Sequence, residues 1–592
     1  MRVALSVFIC LSILIAQASG KAFDTIITSD AGVLLTVRDV SELREAWLDH
    51  PLVADLGDAA LSEYYAALLG QSADDASDAD FQELLDAFRL EEEELFELFP
   101  DQLGLVLYNL PEMLLQKADK PDIALMANFS GSAERLDELM QIQFERNAEA
   151  QKEVNPAVEH VMIEERFMGE TLYFDEVYDG EKTYVEDGYA LVDGVFILAR
   201  PEERLRTVVE SIKEGTDRPI ARNPAYLRAR EESGPVDMLF YMNLESIMPT
   251  LNEALLKQAK AGGLALFGIT GQSLETALSL QALQAFSFGC KLLEDGIASH
   301  NAIIYREKSG LLGLLTYEEG ALPSADFVPE GVLSSTVAQF DLSEMFARFE
   351  ALLGVASPSA PALINIQLQQ IKTRTGVDLR AALLQNLGSE HVSFSVMPEG
   401  RFKEDALAPA QQVYVLEVKD AAALSGALEA LKDLVPGARA RIEVRDFQGE
   451  TIHTITNPAK ATMPDGAAYD FSFVVTRTHL IASVGQVGLI QGVLTAMQSQ
   501  NSGFWQLEAT RKLIDRIGKP GAVSRSYTDF GEAITALMES VAGASLLSGN
   551  AMTLDPSGVP SAKDLPWHML TETHEANDGV FSEMILLRKE AL

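Results

Sequence analysis

The chain has 592 residues, 47% of them hydrophobic and 23% charged, and 88 acidic against 46 basic side chains give it a formal charge of -42. Such a composition belongs to folded domains, and the length exceeds what one hydrophobic core usually serves. The charge excludes nucleic acid, which needs a basic surface that releases counterions, and disfavours anionic membrane surfaces.

The chain opens with Arg2, an apolar run over residues 3–15, and the small-residue stretch Ala16-Gln17-Ala18-Ser19-Gly20. This is the pattern of an export signal over residues 1–20. The run falls short of the roughly 20 residues a membrane-spanning helix needs, so no transmembrane anchor is expected and the mature chain is read as periplasmic or secreted. Cys10 leaves with the signal, and Cys290 alone remains, so no intrachain disulfide is expected.

Gly32-Val33-Leu34-Leu35-Thr36-Val37 followed by Ser41-Glu42-Leu43 reads as a strand leading into an amphipathic helix. From Asp74 to Asp101 the chain is dominated by Asp and Glu, with Phe81, Leu84, Leu85, Phe88, Phe96 and Phe99 at helical spacing. That pattern predicts a pair of helices with an acidic outer face. A helix is expected to end at Leu103-Gly104, with glycine at its C-cap, before the strand Leu105-Val106-Leu107-Tyr108. The strand over residues 123–129 and the helix over 133–140 follow. The apolar, glycine-rich stretch over residues 262–269 suits a packed turn better than a membrane helix.

Phe167-Met168-Gly169-Glu170-Thr171-Leu172-Tyr173 returns as Phe447-Gln448-Gly449-Glu450-Thr451-Ile452-His453. Its glycine between two alternating runs signals a tight turn or a bulge, read here as a hairpin bulge. The recurrence extends along the chain. Gly32 to Val37 aligns with Gly331 to Val337, Leu103-Gly104 with Leu387-Gly388, and Tyr189 to Leu198 plus its helix with Phe473 to Ala482 plus its helix. The closing hairpins at Asp295-Gly296 and Asp578-Gly579 align in the same way. These repeats predict an α+β fold of two tandem pseudo-repeated modules, residues 21–325 and 326–592, each a largely antiparallel sheet packed by helices.

No Gly-x-Ser-x-Gly, Ser-x-x-Lys, His-Glu-x-x-His, phosphate loop or Cys-x-x-Cys occurs in the sequence. Cys290 reads as a small hydrophobe on a strand. His568 and His574 share one face of a strand but lie too far apart for one metal, and are expected to face solvent. Glu170 and Glu450 are the acid and base that a cleft between modules would use, but each also fits a solvated position in a hairpin. Trp47, Trp505 and Trp567 are expected in cores. No catalytic, cofactor-binding or metal-ligating residue is assigned, and no cofactor is expected.

The export signal, the tandem halves, the Leu-Gly pairs before strands, the closing Asp-Gly hairpins and Asp564-Leu565-Pro566-Trp567 resemble an uncharacterised family of exported bacterial envelope proteins, a domain of unknown function. The resemblance implies an α+β envelope protein and supplies no site residues. The function expected is that of a non-enzymatic binding or scaffold protein. A carrier of an apolar ligand such as a lipid, motivated by the apolar stretches near Leu264 and Leu546, and a hydrolase with carboxylates at the module interface are the alternatives. The partner stays open among an envelope protein, a basic partner and an apolar ligand.

Overall fold

The repeated heptad folds as the same two-residue hairpin in both copies. In the computed structural model, Phe167 pairs with Glu170 and Phe447 with Glu450, leaving only Met168-Gly169 and Gln448-Gly449 in the turns. All four are left-handed, with φ of 51° and 88° in the first turn and 52° and 85° in the second. This is the type I′ geometry, whose twist matches that of the flanking strands. The ladder carries no extra residue there, so the expected bulge is a tight turn.

The structure describes residues 22–56, 90–261, 270–398, 402–403, 406–407, 410–432, 441–461, 469–499, 503–548 and 565–589, apart from positions 116, 119 and 358. The export signal, the acidic run before residue 90 and the stretch 262–269 lie outside the described residues. The described residues form two units. The first holds 22–56, 90–254 and 281–306, and the second holds 255–261, 270–280 and the described part of 307–589. The chain thus enters the second unit at residue 255, returns to the first at 281 and stays in the second from 307, whereas the sequence repeats predict a single boundary at 325. Residues 307–325 go with the second unit, where Tyr317 bridges Phe340 and the Thr316 hydroxyl donates to the Asp341 carbonyl.

In the first unit the strands are β1 (Val33–Val37), β2 (Leu103–Leu107), β3 (Ile123–Asn128), β4 (Glu159–Phe167), β5 (Glu170–Tyr178), β6 (Thr183–Val192), β7 (Val195–Arg200), β8 (Met238–Asn243), β9 (Leu283–Leu293) and β10 (Gly296–Tyr305). Their order is β4-β5-β6-β7-β3-β2-β1-β8-β9-β10, every neighbour antiparallel. The second unit has β11 (Ser334–Gln339), β12 (Leu387–Val396), β13 (Gln411–Val418), β14 (Ile442–Phe447), β15 (Glu450–Ile455), β16 (Phe471–Val475), β17 (His479–Val484), β18 (Ser524–Asp529), β19 (Trp567–Ala576) and β20 (Gly579–Arg588). The order is β14-β15-β16-β17-β13-β12-β11-β18-β19-β20, again all antiparallel. The two sheets have one topology, and the chain is α+β.

Helices occupy corresponding places: α1 (Val40–Leu48), α2 (Ala133–Val154), α3 (Glu202–Glu214), α4 (Pro224–Ser233) and α5 (Leu244–Ala261), then α6 (Leu342–Ala356), α7 (Ala421–Lys432), α8 (Gly488–Gln498), α9 (Glu508–Ile517) and α10 (Phe530–Ser548). In the first unit they cover both sheet faces. Ala127, Tyr189 and Phe196 pack under α2 with Leu136 and Leu139. The residues that alternate with them meet α3, whose Leu205, Val208, Val209 and Ile212 recur at helical spacing and are buried. The short helix Glu92–Leu98 buries Leu95, Phe96 and Leu98 while Glu92 and Glu94 pair with Arg44 and Arg135, each at 2.6 Å.

Backbone bonds fix the residue-level correspondence between units. Gly32 N–H donates to Leu107 and Leu333 N–H to Ser395, while Ile220 N–H donates to Ile27 and Phe504 N–H to Val328. Gly32 therefore matches Leu333 rather than Gly331, and Gly104 matches Val392 rather than Gly388. Burial agrees, since Val106 and Phe394, now equivalent, are both buried. Leu103-Gly104 is also no helix end: it opens β2, and glycine is needed because a β-carbon there would lie 2.9 Å from the Phe23 ring.

Candidate functional site

The residues singled out in the sequence do not assemble into a reactive centre within either unit. Glu170 opens β5 and Glu450 opens β15, each at the exit of its own turn. The Glu170 carboxylate is held at 2.5 Å by Lys213, which also binds Asp193 at 2.7 Å. Cys290 sits on β9, where burial, aided by the charge of Asp237, pushes its thiol up to about 11, away from the reactive thiolate. Trp505 and Trp567 are buried as expected, but Trp47 is 43% exposed, on the outer side of α1.

His568 and His574 depart from expectation, because neither faces solvent. Their strand, β19, lies between β18 and β20, and Leu570 and Glu572 between them are almost fully buried. His568 Nδ1 lies 2.6 Å from the Tyr527 hydroxyl. Burial, reinforced by the Lys589 charge, lowers its pKa to about 4, so the ring is neutral at pH 7. Tyr527 and His568 are far apart in sequence, and no local motif links them.

The principal cavity among the described residues is a cleft of about 940 Å³ in the second unit. Its floor is Val392 of β12 and Val415 of β13. Ile490, Val493 and Leu494 seat α8 on the sheet, and one turn further Ala496 and Met497 overhang the opening. Pro323 to Phe327 form one side, Gln506 and Arg511 another.

The first unit explains why the cleft is open. Ile27 matches Val328 and Gly32 matches Leu333 through the bonds given above, so Phe23 matches Ser324. Phe23 is fully buried and lies over Gly104. In the second unit the plug is a serine and the glycine beneath it is Val392, and both residues line the cleft. The loss of one aromatic ring leaves a space the added valine methyls do not fill.

The cleft carries polar groups around its apolar floor. Burial, with help from the nearby Glu417 charge, raises the pKa of Glu390. Burial lowers that of His479, against the opposing effect of Glu417. His479 Nδ1 is 2.8 Å from the Thr478 hydroxyl, and the Phe327 ring meets the imidazole edge-on at 6.3 Å. Arg511 donates to the Gln506 side-chain oxygen, and Asp326 is exposed at the mouth. Such a lining suits a molecule with an apolar body and a few hydrogen-bonding groups. Sequence reading missed it, because the signal is a difference between copies, Phe23 against Ser324, that pairing Gly32 with Gly331 instead of Leu333 conceals.

Among the described residues no helix is long and apolar enough to cross a membrane, and no group of three or more His, Cys, Asp or Glu is placed to hold a metal ion.

No family model and no curated protein matches the chain. Among solved structures it is similar to TP0453 in crystal forms I, III and IV, with 9%, 8% and 10% sequence identity and TM-scores of 0.19, 0.23 and 0.20. The matches cover 49%, 52% and 48% of this chain and 80%, 90% and 81% of the other. At that level the likeness is no guide to function.

Proposed function

We propose that this is an exported, non-enzymatic binding protein in which the first unit is structural and the second takes a small amphipathic molecule into the cleft over β12 and β13. The observation that carries the reading is the replacement of the buried Phe23 plug by Ser324 at the same place in an otherwise matching fold. The volume, about 940 Å³, is that of a small-molecule site. A valine floor with Arg511, Glu390 and His479 around it favours a ligand with both apolar and polar parts over a purely hydrocarbon one.

The test is to return the plug. Fluorescence titration with N-phenyl-1-naphthylamine, an uncharged aromatic probe, is expected to give saturable binding to the parent protein. The double variant Ser324→Phe/Val392→Gly, which recreates the first unit's packing, is expected to lose it while unfolding as cooperatively as the parent. Equal binding by parent and double variant would refute the assignment.

A further inference from the structure

A second cleft of the same unit, about 370 Å³, lies beside α9 and is lined by Tyr527, His568, Asp529 and Thr510. Its counterpart in the first unit is closed by an aromatic pair. Ile220 matches Phe504, and each short 3-10 turn is followed by a ten-residue helix, so Tyr226 of α4 matches Thr510 of α9. Tyr226 stacks edge-on against Tyr241 at 5.2 Å, and both are buried. Tyr241 matches Tyr527, but where Tyr226 would stand the second unit has only a threonine.

The groups around this opening have also changed, with three acids gained against one lost, since Asp30 of the first unit matches Gly331. Asn243 N–H donates to Gly32 just as Asp529 N–H donates to Leu333, which equates Asn243 with Asp529. The Asn243 side chain accepts from Ser246 N–H at 3.3 Å and the Asp529 side chain from Glu532 N–H at 3.0 Å, which equates Ser246 with Glu532. Ser29 matches Glu330 by the same register. Three neutral polar residues of the first unit are thus three carboxylic acids in the second, and all three line the cleft, against a single lysine, Lys589.

Ala285 has become His568, whose side chain is only 9% exposed. His568 Nδ1 and the Tyr527 hydroxyl are hydrogen-bonded to each other at 2.6 Å, and Nε2 has no hydrogen-bond partner among the described residues although the ring lines the cleft. Leu333, Met397 and Leu513 supply an apolar wall.

We infer that this second cleft binds a small organic amine. Its ammonium group faces Asp529, Glu532 and Glu330, a hydroxyl near the amine hydrogen-bonds with His568 Nε2, and its apolar body lies against the leucine and methionine wall. The cationic charge offsets the burial that raises the Asp529 pKa. This site does not depend on occupancy of the larger cleft.

The experiment is isothermal titration of the full mature chain at pH 7 with two molecules of one skeleton and opposite charge, 2-amino-1-phenylethanol and mandelate. The amine is expected to bind and mandelate is not. Thr510→Tyr, which restores the first unit's ring, is expected to abolish amine binding, and Glu330→Gln, at an exposed position, to weaken it about tenfold or less. The plugged variant Ser324→Phe/Val392→Gly is expected to bind the amine as the parent does. Mandelate binding as tightly as the amine, no amine binding at all, or unchanged affinity in both Thr510→Tyr and Glu330→Gln would overturn the assignment.

Discussion

A methyl group added at Gly449 or Gly169 meets nothing within 4 Å, yet each substitution is expected to destabilise the protein because φ is +85° and +88°. Left-handed backbone costs a residue with a β-carbon about 1–2 kcal/mol. Gly449→Ala and Gly169→Ala should therefore lower the unfolding free energy from urea titration by that amount, and Gly488→Ala, where φ is ordinary and space is open, should not. Buried imidazoles give a second residue-scale expectation. His391, stacked on Phe340 at 3.8 Å, and His568 are both lowered by burial from 6.5 to about 4. Between those values the unfolded chain takes up a proton that the folded chain refuses. Each group's contribution is therefore complete above pH 6.5 and is lost as pH falls toward about 4, on the order of 3 kcal/mol per group. The raised carboxyls Glu390 and Asp529 act with the opposite sign, so the measurement is comparative. His391→Gln should show a shallower loss of stability than the parent between pH 6.5 and 4.5, and an unchanged slope would contradict the burial argument.

At the scale of elements, local pattern was enough for much of the reading. The alternation in residues 163–166 and the glycine of the heptad mark a hairpin by themselves, and Leu205, Val208, Val209 and Ile212 mark α3. What local pattern misses is register between distant strands. Aligning the Leu-Gly pairs placed Gly104 on Gly388 and turned the start of β2 into a helix end. Aligning Gly32 with Gly331, two residues short of its structural partner Leu333, likewise hid the correspondence of Phe23 and Ser324. The same reason explains His568: its burial depends on β18 and β20 flanking β19, and on Tyr527, none of which its own neighbours in sequence announce. The plug itself is testable here. Phe23→Ala leaves a void over Gly104 and should cost about 3–5 kcal/mol, while Ser324→Ala, at an exposed position, should cost little. Chemical denaturation of both variants checks the contrast.

For the whole molecule, duplication is the organising fact, and it was legible from the paired heptads, while the strand order β4-β5-β6-β7-β3-β2-β1-β8-β9-β10 was not, because it is set by pairings between segments far apart in the chain. One topology written twice lets each copy serve as the reference for the other. Where the first fills its core with Phe23 and Tyr226, the second has Ser324 and Thr510 and is hollow. The net charge of -42 acts at this scale too, through self-repulsion that salt screens. The thermal midpoint should rise from 20 mM to 300 mM sodium chloride, and a fall would mean that attractive ion pairs dominate. The central claim, that binding belongs to the second unit, is tested most directly by hydrogen–deuterium exchange with and without saturating N-phenyl-1-naphthylamine. Added protection is expected in peptides from 323–328, 478–484 and 496–511 and none in their first-unit counterparts, 22–27, 194–200 and 212–227. Protection of the first-unit peptides instead, or equally in both sets, would contradict it.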